Sequence, residues 1–477
     1  MLSAEEGASH AVLRPLPQAG EGWGEGASTR RNLLKAAAAT LAAPALIACT
    51  AKSAGPLRFW AMGREGEVVG ELLADFQRQH PNIQVRVDTL PFSAAHEKLL
   101  TAFAGDATPD LAQLGNSWIA EFAAVNALLP LGPWLAATPA LQPADWFEGI
   151  WATNVVDGQL LGLPWYVDTR LLFYRRDLFE RAGIAQPPAT WQAWVAALVA
   201  LQQSGIAHPL LLPLNEFEPL LALALQQPDP LLRDGGRWGN FRSAGFQRAL
   251  GFFLDRFSTG QAPALTNNQI ANLWQEFGRG TFAAYISGPW NIGELNRRLG
   301  PARRRDWATA PLPAPDGLRD GLPDGLPNTQ GTAAPAAPPR PGASTAGGSS
   351  LVVFKRSSRQ ADALTLLAWL ARPAVQQRFF ALTGNLPPRR STWALPGPGG
   401  LALADDDKAR AFATQLENVK PAPAVPEWER IAQEMQQLAQ RAVFERQSPL
   451  AMATALDARV DGFLEKRRWM LARRGVA

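Results

Sequence analysis

From residue 57 onward, short apolar runs alternate with amphipathic stretches. LRFWA (57–61) reads as a buried strand. In the following GEVVGELLADFQRQH, Val68, Val69, Leu72, Leu73 and Phe76 recur at helical spacing and share one face. NIQVRVDTL (82–90) alternates apolar and polar positions, as a half-buried strand does. HEKLLTAFAG (96–105) is a helix stopped by Gly105, and LAQLG (111–115) is a buried strand. This strand–helix–strand–helix–strand order predicts an α/β fold with a parallel sheet and right-handed crossovers. Such sheets bind ligands beyond the carboxyl ends of their strands. Those ends carry Trp60, Arg64 and Glu65 after the first strand, and Asn116 and Trp118 after the third.

Asp157-Gly158 between apolar runs predicts a two-residue hairpin. The next stretch, GLPWYVDTRLLFYRRD (162–177), is where the chain is expected to cross first between two lobes, placing Trp165, Tyr166 and Asp168 at the cleft between them. Helices are expected over 177–183 and 190–204, with Thr190 as a cap, then over 242–257 and 267–277. PLLLPLNEFEPLL (209–221) supplies a strand, a loop with Glu216 and Phe217, and a helix start. TFAAYIS (281–287) is a buried strand, followed by a Gly-Pro-Trp turn with Trp290 and with Asn291 as the expected cap of the next helix. A helix N-terminus carries partial positive charge and suits a ligand contact. Residues 311–348, rich in Pro, Gly and Ala, read as a flexible loop ending at Gly347-Gly348. A strand then resumes. Helices follow near 359–371 and 373–382, then a loop with Arg389 and Arg390, and two closing helices over 427–445 and 449–467.

Composition narrows the chemistry. With 477 residues, 47% hydrophobic and 18% charged, the chain is long enough for two domains and apolar enough for most of it to fold. A net charge of +4 with no concentrated basic face makes a nucleic-acid partner unexpected. A single cysteine, Cys49, excludes an internal disulfide and Cys-based metal sites, and the four histidines show no metal-ligand spacing, so no metal or cofactor is expected. Seventeen Trp against three Tyr leaves room for some to serve as ligand platforms beyond core filling.

The leader has its own logic. TRRNLLK (29–35), an Ala-rich apolar run and LIAC (46–49) form a positive, apolar, small-residue sequence typical of an export signal, too short to anchor as a span. Arg30-Arg31 resembles a twin-arginine signal, and LIAC resembles a bacterial lipobox, in which the Cys becomes the acylated first residue.

Four segments in order carry a wider resemblance: FWAMGREGEVVGELLADFQRQHPNIQV with TPDLAQLGNSW, GLPWYVDTRLLFYRRDLFERAGI, RGTFAAYISGPWNIGEL, and GGSSLVVFKRSSRQADALTLLAWLARPAVQQRFF. The chain resembles the extracytoplasmic solute-binding proteins of bacterial ABC importers, in the branch binding maltose, trehalose and other oligosaccharides. The resemblance implies a two-lobed periplasmic-binding-protein fold of Venus-flytrap, type II-like form with hinge crossings. Its parts would be a disordered extension and signal (1–49), a tether (50–56), a first lobe (57–166), a second lobe (167–310), the 311–348 loop near the hinge, and remaining lobe segments and closing helices (349–477). It implies an exported, periplasmic, monomeric lipoprotein anchored through Cys49, which captures a carbohydrate and delivers it to membrane permease subunits without chemical change.

In such proteins Asp168 falls where an acid accepts sugar hydroxyls, Trp290 where a Trp stacks, Trp118 in a loop carrying another aromatic, and Glu216 and Phe217 in a second-lobe loop often contributing an acid and an aromatic. The chemistry fits: an aromatic face takes the C–H face of a pyranose, a carboxylate accepts hydroxyls in charge-assisted bonds, and Asn supplies donor and acceptor. The expected ligand-binding set is therefore Trp60, Arg64, Glu65, Asn116, Trp118, Trp165, Asp168, Glu216, Phe217, Trp290, Asn291, Gly348 and Arg389. Each has a plainer reading. Trp60 can be core, Trp165 can pack the hinge, Trp118 can cover the first helix, and Asp168 can pair with Arg170 or Arg175. Arg64 and Arg389 can be solvated unless the ligand is anionic, such as glycerol phosphate. A glycan-active enzyme, which would need two carboxylates across the scissile bond, and a surface adhesion protein stay open as alternatives.

Overall fold

The computed structural model describes residues 55–266, 269–270, 272–319, 322–323, 340–397 and 400–473. The leader, with Arg30, Arg31 and Cys49, lies outside the described residues. Two twisted sheets form the frame. In the first, β1 (Leu57–Met62) leads into helix α1 (Gly63–Gln79), β2 (Val85–Leu90), α2 (Phe92–Ala104) and β3 (Leu111–Gly115). A 3-10 turn, Asn116–Trp118, and α3 (Ile119–Ala124) follow β3. As predicted, β1 pairs in parallel with both β2 and β3.

The chain then makes the hairpin at Asp157-Gly158, both residues with positive φ, and enters β4 (Leu163–Asp168) and β5 (Leu171–Arg175). β6 (Leu210–Leu211), α4 (Glu218–Leu225), α5 (Ala244–Ser258), β7 (Ala284–Ser287), α6 (Trp290–Leu299) and β8 (Trp307–Ala310) come next. After these lie β9 (Ser344–Thr345), β10 (Gly347–Val353), α7 (Pro373–Thr383), β11 (Val419–Lys420), α8 (Trp428–Glu445) and α9 (Pro449–Phe463). The first sheet has the order β2-β1-β3-β10-β4, and the second β8-β5-β7-β6.

Strand parity explains the layers. Phe59, Leu111 and Leu351 pack on one face of the first sheet, and Trp60, Leu114 and Val352 on the other. In the second sheet, Leu172, Ile286 and Ala308 face one apolar layer, while Phe173, Tyr285 and Trp307 face the other. A strand buried on both faces reads as a continuous apolar run, which is why β5 and β7 stand out in the sequence. Among the described residues, no helix is long and apolar enough to cross a membrane.

The chain passes from the first sheet to the second at Thr169-Arg170, and returns just before β10. These two crossings are stapled together. The Arg170 amide donates to Ser344 Oγ at 3.2 Å, and the Ser344 hydroxyl donates to the Arg170 carbonyl at 2.6 Å. The stretch 311–348, expected to be loop throughout, is structured at both ends. Ala314 bridges Thr190, the Leu312 amide donates to Gln415 Oε1, and β9 pairs in parallel with β11. Small buried side chains at Ala343, Ser344 and Ala346 let this segment run through the interior between the sheets.

Candidate functional site

A cleft of about 830 Å³ opens where the crossings meet the loops of both sheets. Its first-sheet wall comes from the 3-10 turn after β3. Gly115 allows that turn to fold tightly, because a Cβ there would stand 3.1 Å from the Trp118 ring. Trp118 is 7% exposed and lines the cleft, with Phe92 at 5.9 Å and His96 at 4.8 Å between ring centres. Asn116, on the same wall, accepts from the Ser350 hydroxyl at 2.8 Å through Oδ1. Its Nδ2 is shielded from solvent and has no hydrogen-bond partner.

The floor is the double crossing. Asp168 ends β4 with 29% of its side chain accessible, and its Oδ1 is shielded without a partner. Gly347 and Gly348 lie beside it. Gly348 has φ +120°, and a Cβ there would meet the Tyr166 carbonyl at 2.2 Å, so the backbones close up only without a side chain. Arg170 is buried, donates from Nη2 to Glu218 Oε1 at 2.8 Å, and lies 4.0 Å from Asp168. Arg170 Nη1 is shielded and unpartnered. Loss of hydration raises the Asp168 carboxyl to about 6; Arg170 opposes this, while Glu218 and Glu216 add to it. Burial alone would lower the Arg170 guanidinium, but the carboxylates of Asp168, Glu218 and Glu216 outweigh it and hold the group firmly charged.

The second-sheet wall carries Phe217 and Glu218 at the start of α4, and Trp428 and Glu429 at the start of α8. Burial raises the Glu429 carboxyl, against a hydrogen bond from Ser117 that lowers it.

Of the residues expected from sequence, Asn116, Trp118, Asp168, Phe217 and Gly348 line this cleft. Glu216 acts on it electrostatically, through Asp168 and Tyr285. Trp290 is 36% exposed and does not line it, but the Arg170 guanidinium stacks over its ring.

The remaining expectations are corrected by position. Trp60 points into the core under strand parity, its Nε1 donating to Asp88 Oδ2 at 3.1 Å. Arg64 lies on the outer surface of α1, paired with Glu67 at 3.3 Å and 61% exposed. Glu65 is held inside by Asn385 and Tyr166, and burial raises its carboxyl. Trp165 is buried and stacks on Phe379 at 4.4 Å. Asn291 is no cap: α6 already begins at Trp290, and Asn291 accepts from Trp274 Nε1 at 2.8 Å and donates to Ser287 Oγ at 2.7 Å. Arg389 donates to Asp145 at 2.6 Å and to the Ala371 and Ala140 carbonyls, which occupies each of its nitrogens.

In the sequence Arg170 stands out only as a neighbour of Asp168, and nothing local singles out Glu218, Trp428 or Glu429. Arg170 had one signal, a charge between two apolar strands. The other three come from two helix starts, whose approach to the cleft depends on tertiary packing. Among the described residues, no group of three or more His, Cys, Asp or Glu is arranged to hold a metal ion.

The sequence model for bacterial extracellular solute-binding proteins matches residues 63–377. The chain is similar to the sugar-binding protein MalE from Xanthomonas citri, with 49% identity and a TM-score of 0.79 over 87% of this chain and 99% of that one. The GacH receptor of Streptomyces glaucescens shares the fold at 21% identity and a TM-score of 0.69, over 86% and 98% of the two chains. The diacetylchitobiose-binding protein DasA of Streptomyces coelicolor is 22% identical over 51% of this chain and 57% of its own.

Proposed function

We propose that this chain, which belongs to the family of bacterial extracellular solute-binding proteins, captures a neutral mono- or oligosaccharide for an ABC importer and hands it over chemically unchanged. One observation carries the reading. Asn116, Asp168 and Arg170 line a single cleft beside aromatic side chains, and each carries one shielded polar atom without a hydrogen-bond partner. A buried polar group without a partner costs about 1–3 kcal/mol. A polyol offers donors and acceptors to all three side chains as they reorient toward it, whereas an apolar ligand offers none. The MalE of Xanthomonas citri, at 49% identity, is a sugar-binding protein, and the GacH receptor has been seen with acarbose, both of which support a saccharide.

Closure on the ligand is part of the same proposal. Ligand contacts to both walls favour the state in which the walls are near, and the shift is bounded by the ligand's differential affinity for the two states. The closed form is the one offered to the permease. Export follows from the family; acylation at Cys49 and retention at the membrane rest on the leader sequence, a monomeric state rests on the family resemblance, and all three belong to this proposal.

An anionic solute such as glycerol phosphate would call for free arginines. Arg64 is on the outer surface, Arg389 is fully engaged, and Arg170 is flanked by Asp168 and Glu218; Arg467 also lines the cleft and keeps one nitrogen without a hydrogen-bond partner, so glycerol 3-phosphate belongs in the test. A thermal-shift panel of maltose, maltotriose, trehalose and glycerol 3-phosphate tests the reading. Sugars should raise the melting temperature by mass action. A rise with glycerol 3-phosphate alone would overturn it.

A further inference from the structure

The cleft reaches past the crossings. Glu218 and Leu225 both line it from α4, and the helix between them is about 10 Å long. That wall is longer than one sugar ring. Beyond α4 the chain makes a small hairpin, in which Leu232–Arg233 pairs antiparallel with Trp238–Gly239. The tip of this hairpin, Gly235-Gly236, lines the cleft, as do Pro421 and Pro423. Helix α10 (Glu465–Arg473) brings Arg467 to the same tip.

Arg467 is held there by its neighbours. Leu232, Val425, Val460 and Leu464 share one core layer of the second sheet. Asp461 accepts from the Gly239 amide at 2.8 Å, and Asp457 from the Phe241 amide at 2.7 Å. Arg468 donates from Nη1 to the Arg237 carbonyl at 3.0 Å and stacks over the Trp238 ring at 3.8 Å. The hairpin and the last two helices are thus locked together, with Arg467 between these ties. Gly236, at φ +80°, keeps the tip bare: a Cβ there would stand 2.8 Å from Val425 Cγ1 and 3.7 Å from Arg467 Nη2. Arg467 is half-buried, and its Nε is shielded without a partner. Among the described residues its two Nη nitrogens donate no hydrogen bond, and neither is shielded, so they form the accessible edge of the guanidinium.

Resting on the saccharide reading above, we infer that Arg467 is the hydroxyl-binding donor of a distal sugar subsite, and so a determinant of ligand length. A guanidinium presents its N–H groups in a planar fork, and neighbouring hydroxyl oxygens of one sugar ring can accept from it. Pro421 and Pro423 offer apolar surface to the C–H face of the same ring. The crossing and this subsite are complementary: Asp168 accepts hydroxyl protons, while Arg467 donates. The charge balance favours hydroxyls over phosphate. Asp157, Asp168, Glu218 and Glu429 line the cleft against Arg170 and Arg467, so an anion meets an excess of negative charge. Arg467 also lies outside residues 63–377, so the family's sequence pattern does not carry this subsite.

The test uses the folded full chain, Arg467→Ala and Arg467→Lys, with calorimetric affinities for glucose, maltose and maltotriose and a melting temperature for each protein. Arg467→Ala should weaken maltotriose binding about 10- to 100-fold and glucose binding less than about twofold. Arg467→Lys should recover only part of the loss, because it keeps the charge without the fork. If the Ala variant does not fold, the Lys variant carries the same comparison. A loss of equal size for every sugar the parent binds would show that Arg467 shapes the whole cleft, and would overturn the subsite. Unchanged maltotriose affinity in a folded variant would overturn it too, leaving the saccharide reading intact. A parent that binds none of the three sugars overturns the saccharide reading, and this inference with it.

Discussion

The Arg170 guanidinium carbon stands 4.7 Å from the centre of the Trp290 ring. Arg170 thus meets an aromatic face on one side and the carboxylates of Asp168 and Glu218 on others. Removing the cation would leave two partly buried carboxylates facing each other. Breaking a buried pair from one side costs about 3–5 kcal/mol. Arg170→Met should therefore lower stability by about that amount near neutral pH, measured by urea unfolding. The loss should shrink in acid, where the Asp168 carboxyl takes up a proton.

Trp290 reaches the cleft through Arg170. Trp290→Ala removes a cation–π contact of about 0.5–2 kcal/mol and frees the guanidinium to move. Sugar affinity should fall about tenfold, equivalent to ~1.4 kcal/mol, and Trp290→Phe should recover much of it. Calorimetric titration with maltotriose reads this directly; equal affinity for the Ala variant and the parent would detach Trp290 from the site.

Asp168 links stability to pH. Its carboxyl is raised to about 6 in the folded state, from 3.8 when unperturbed, so the folded protein holds that proton more tightly than the unfolded chain. The associated stabilisation is complete below about pH 4 and is lost as pH rises through about 6. Asp168→Asn carries no charge to desolvate. Near pH 7.5 it should be more stable than the parent by about 1–2 kcal/mol, and near pH 4 the two should match. Its sugar affinity should fall about 10- to 100-fold, since a charge-assisted acceptor is lost. A variant that is less stable near pH 7.5 would contradict the desolvation argument.

The order of strands and helices was legible because buried strands and amphipathic helices differ in period. The rule placing ligands beyond strand ends led to Asn116 and Trp118, which do line the cleft. The same rule misplaced Trp60. It precedes the strand's end, and its parity turns it toward Leu114 and Val352 in the core. Arg64 failed for a different reason, since its position on α1 faces solvent. Glu429 had no local signal. Its neighbours Trp428, Ile431 and Met435 read as the core face of a helix, and only packing of that helix on the 116–118 turn brings the carboxylate to the cleft. The buried ends of 311–348 were hidden because Ala and Ser look like loop residues in a Pro-rich context, yet they are also the small residues that fit a tight interior crossing.

Gly348 tests whether the crossing tolerates any side chain. Its φ of +120° disfavours other residues, and the would-be Cβ overlaps the Tyr166 carbonyl at 2.2 Å. The neighbouring register shift between Ser349 and Ser350 shows that the β10–β4 pairing is already irregular there. Gly348→Ala should cost at least ~2 kcal/mol, seen as a lowered melting temperature. A melting temperature within a degree of the parent would show that the crossing relaxes freely.

Arg389 separates stability from recognition. Its guanidinium is buried, ion-paired with Asp145, and bonded to two backbone carbonyls, and Asp145 also accepts from the Ser391 amide and hydroxyl. These bonds hold the Asp145 carboxyl below the usual carboxylate range although burial pushes it upward. Because that folded value is depressed, the contribution of Asp145 is present above its unfolded value near 3.8 and is lost as pH falls through the folded one. Arg389→Ala removes the bonds to the half-buried Asp145 carboxylate and to the Ala371 and Ala140 carbonyls, and should destabilise the fold by about 1–3 kcal/mol at neutral pH. No part of Arg389 lines the cleft, so the folded fraction should bind maltotriose with the parent's affinity. Arg64→Ala should change neither quantity, since an exposed i,i+3 pair contributes about 0.5 kcal/mol or less. Unfolding curves and calorimetry on the same samples distinguish these outcomes. A loss of affinity without a loss of stability at Arg389 would return that arginine to the binding site and reopen the case for an anionic ligand.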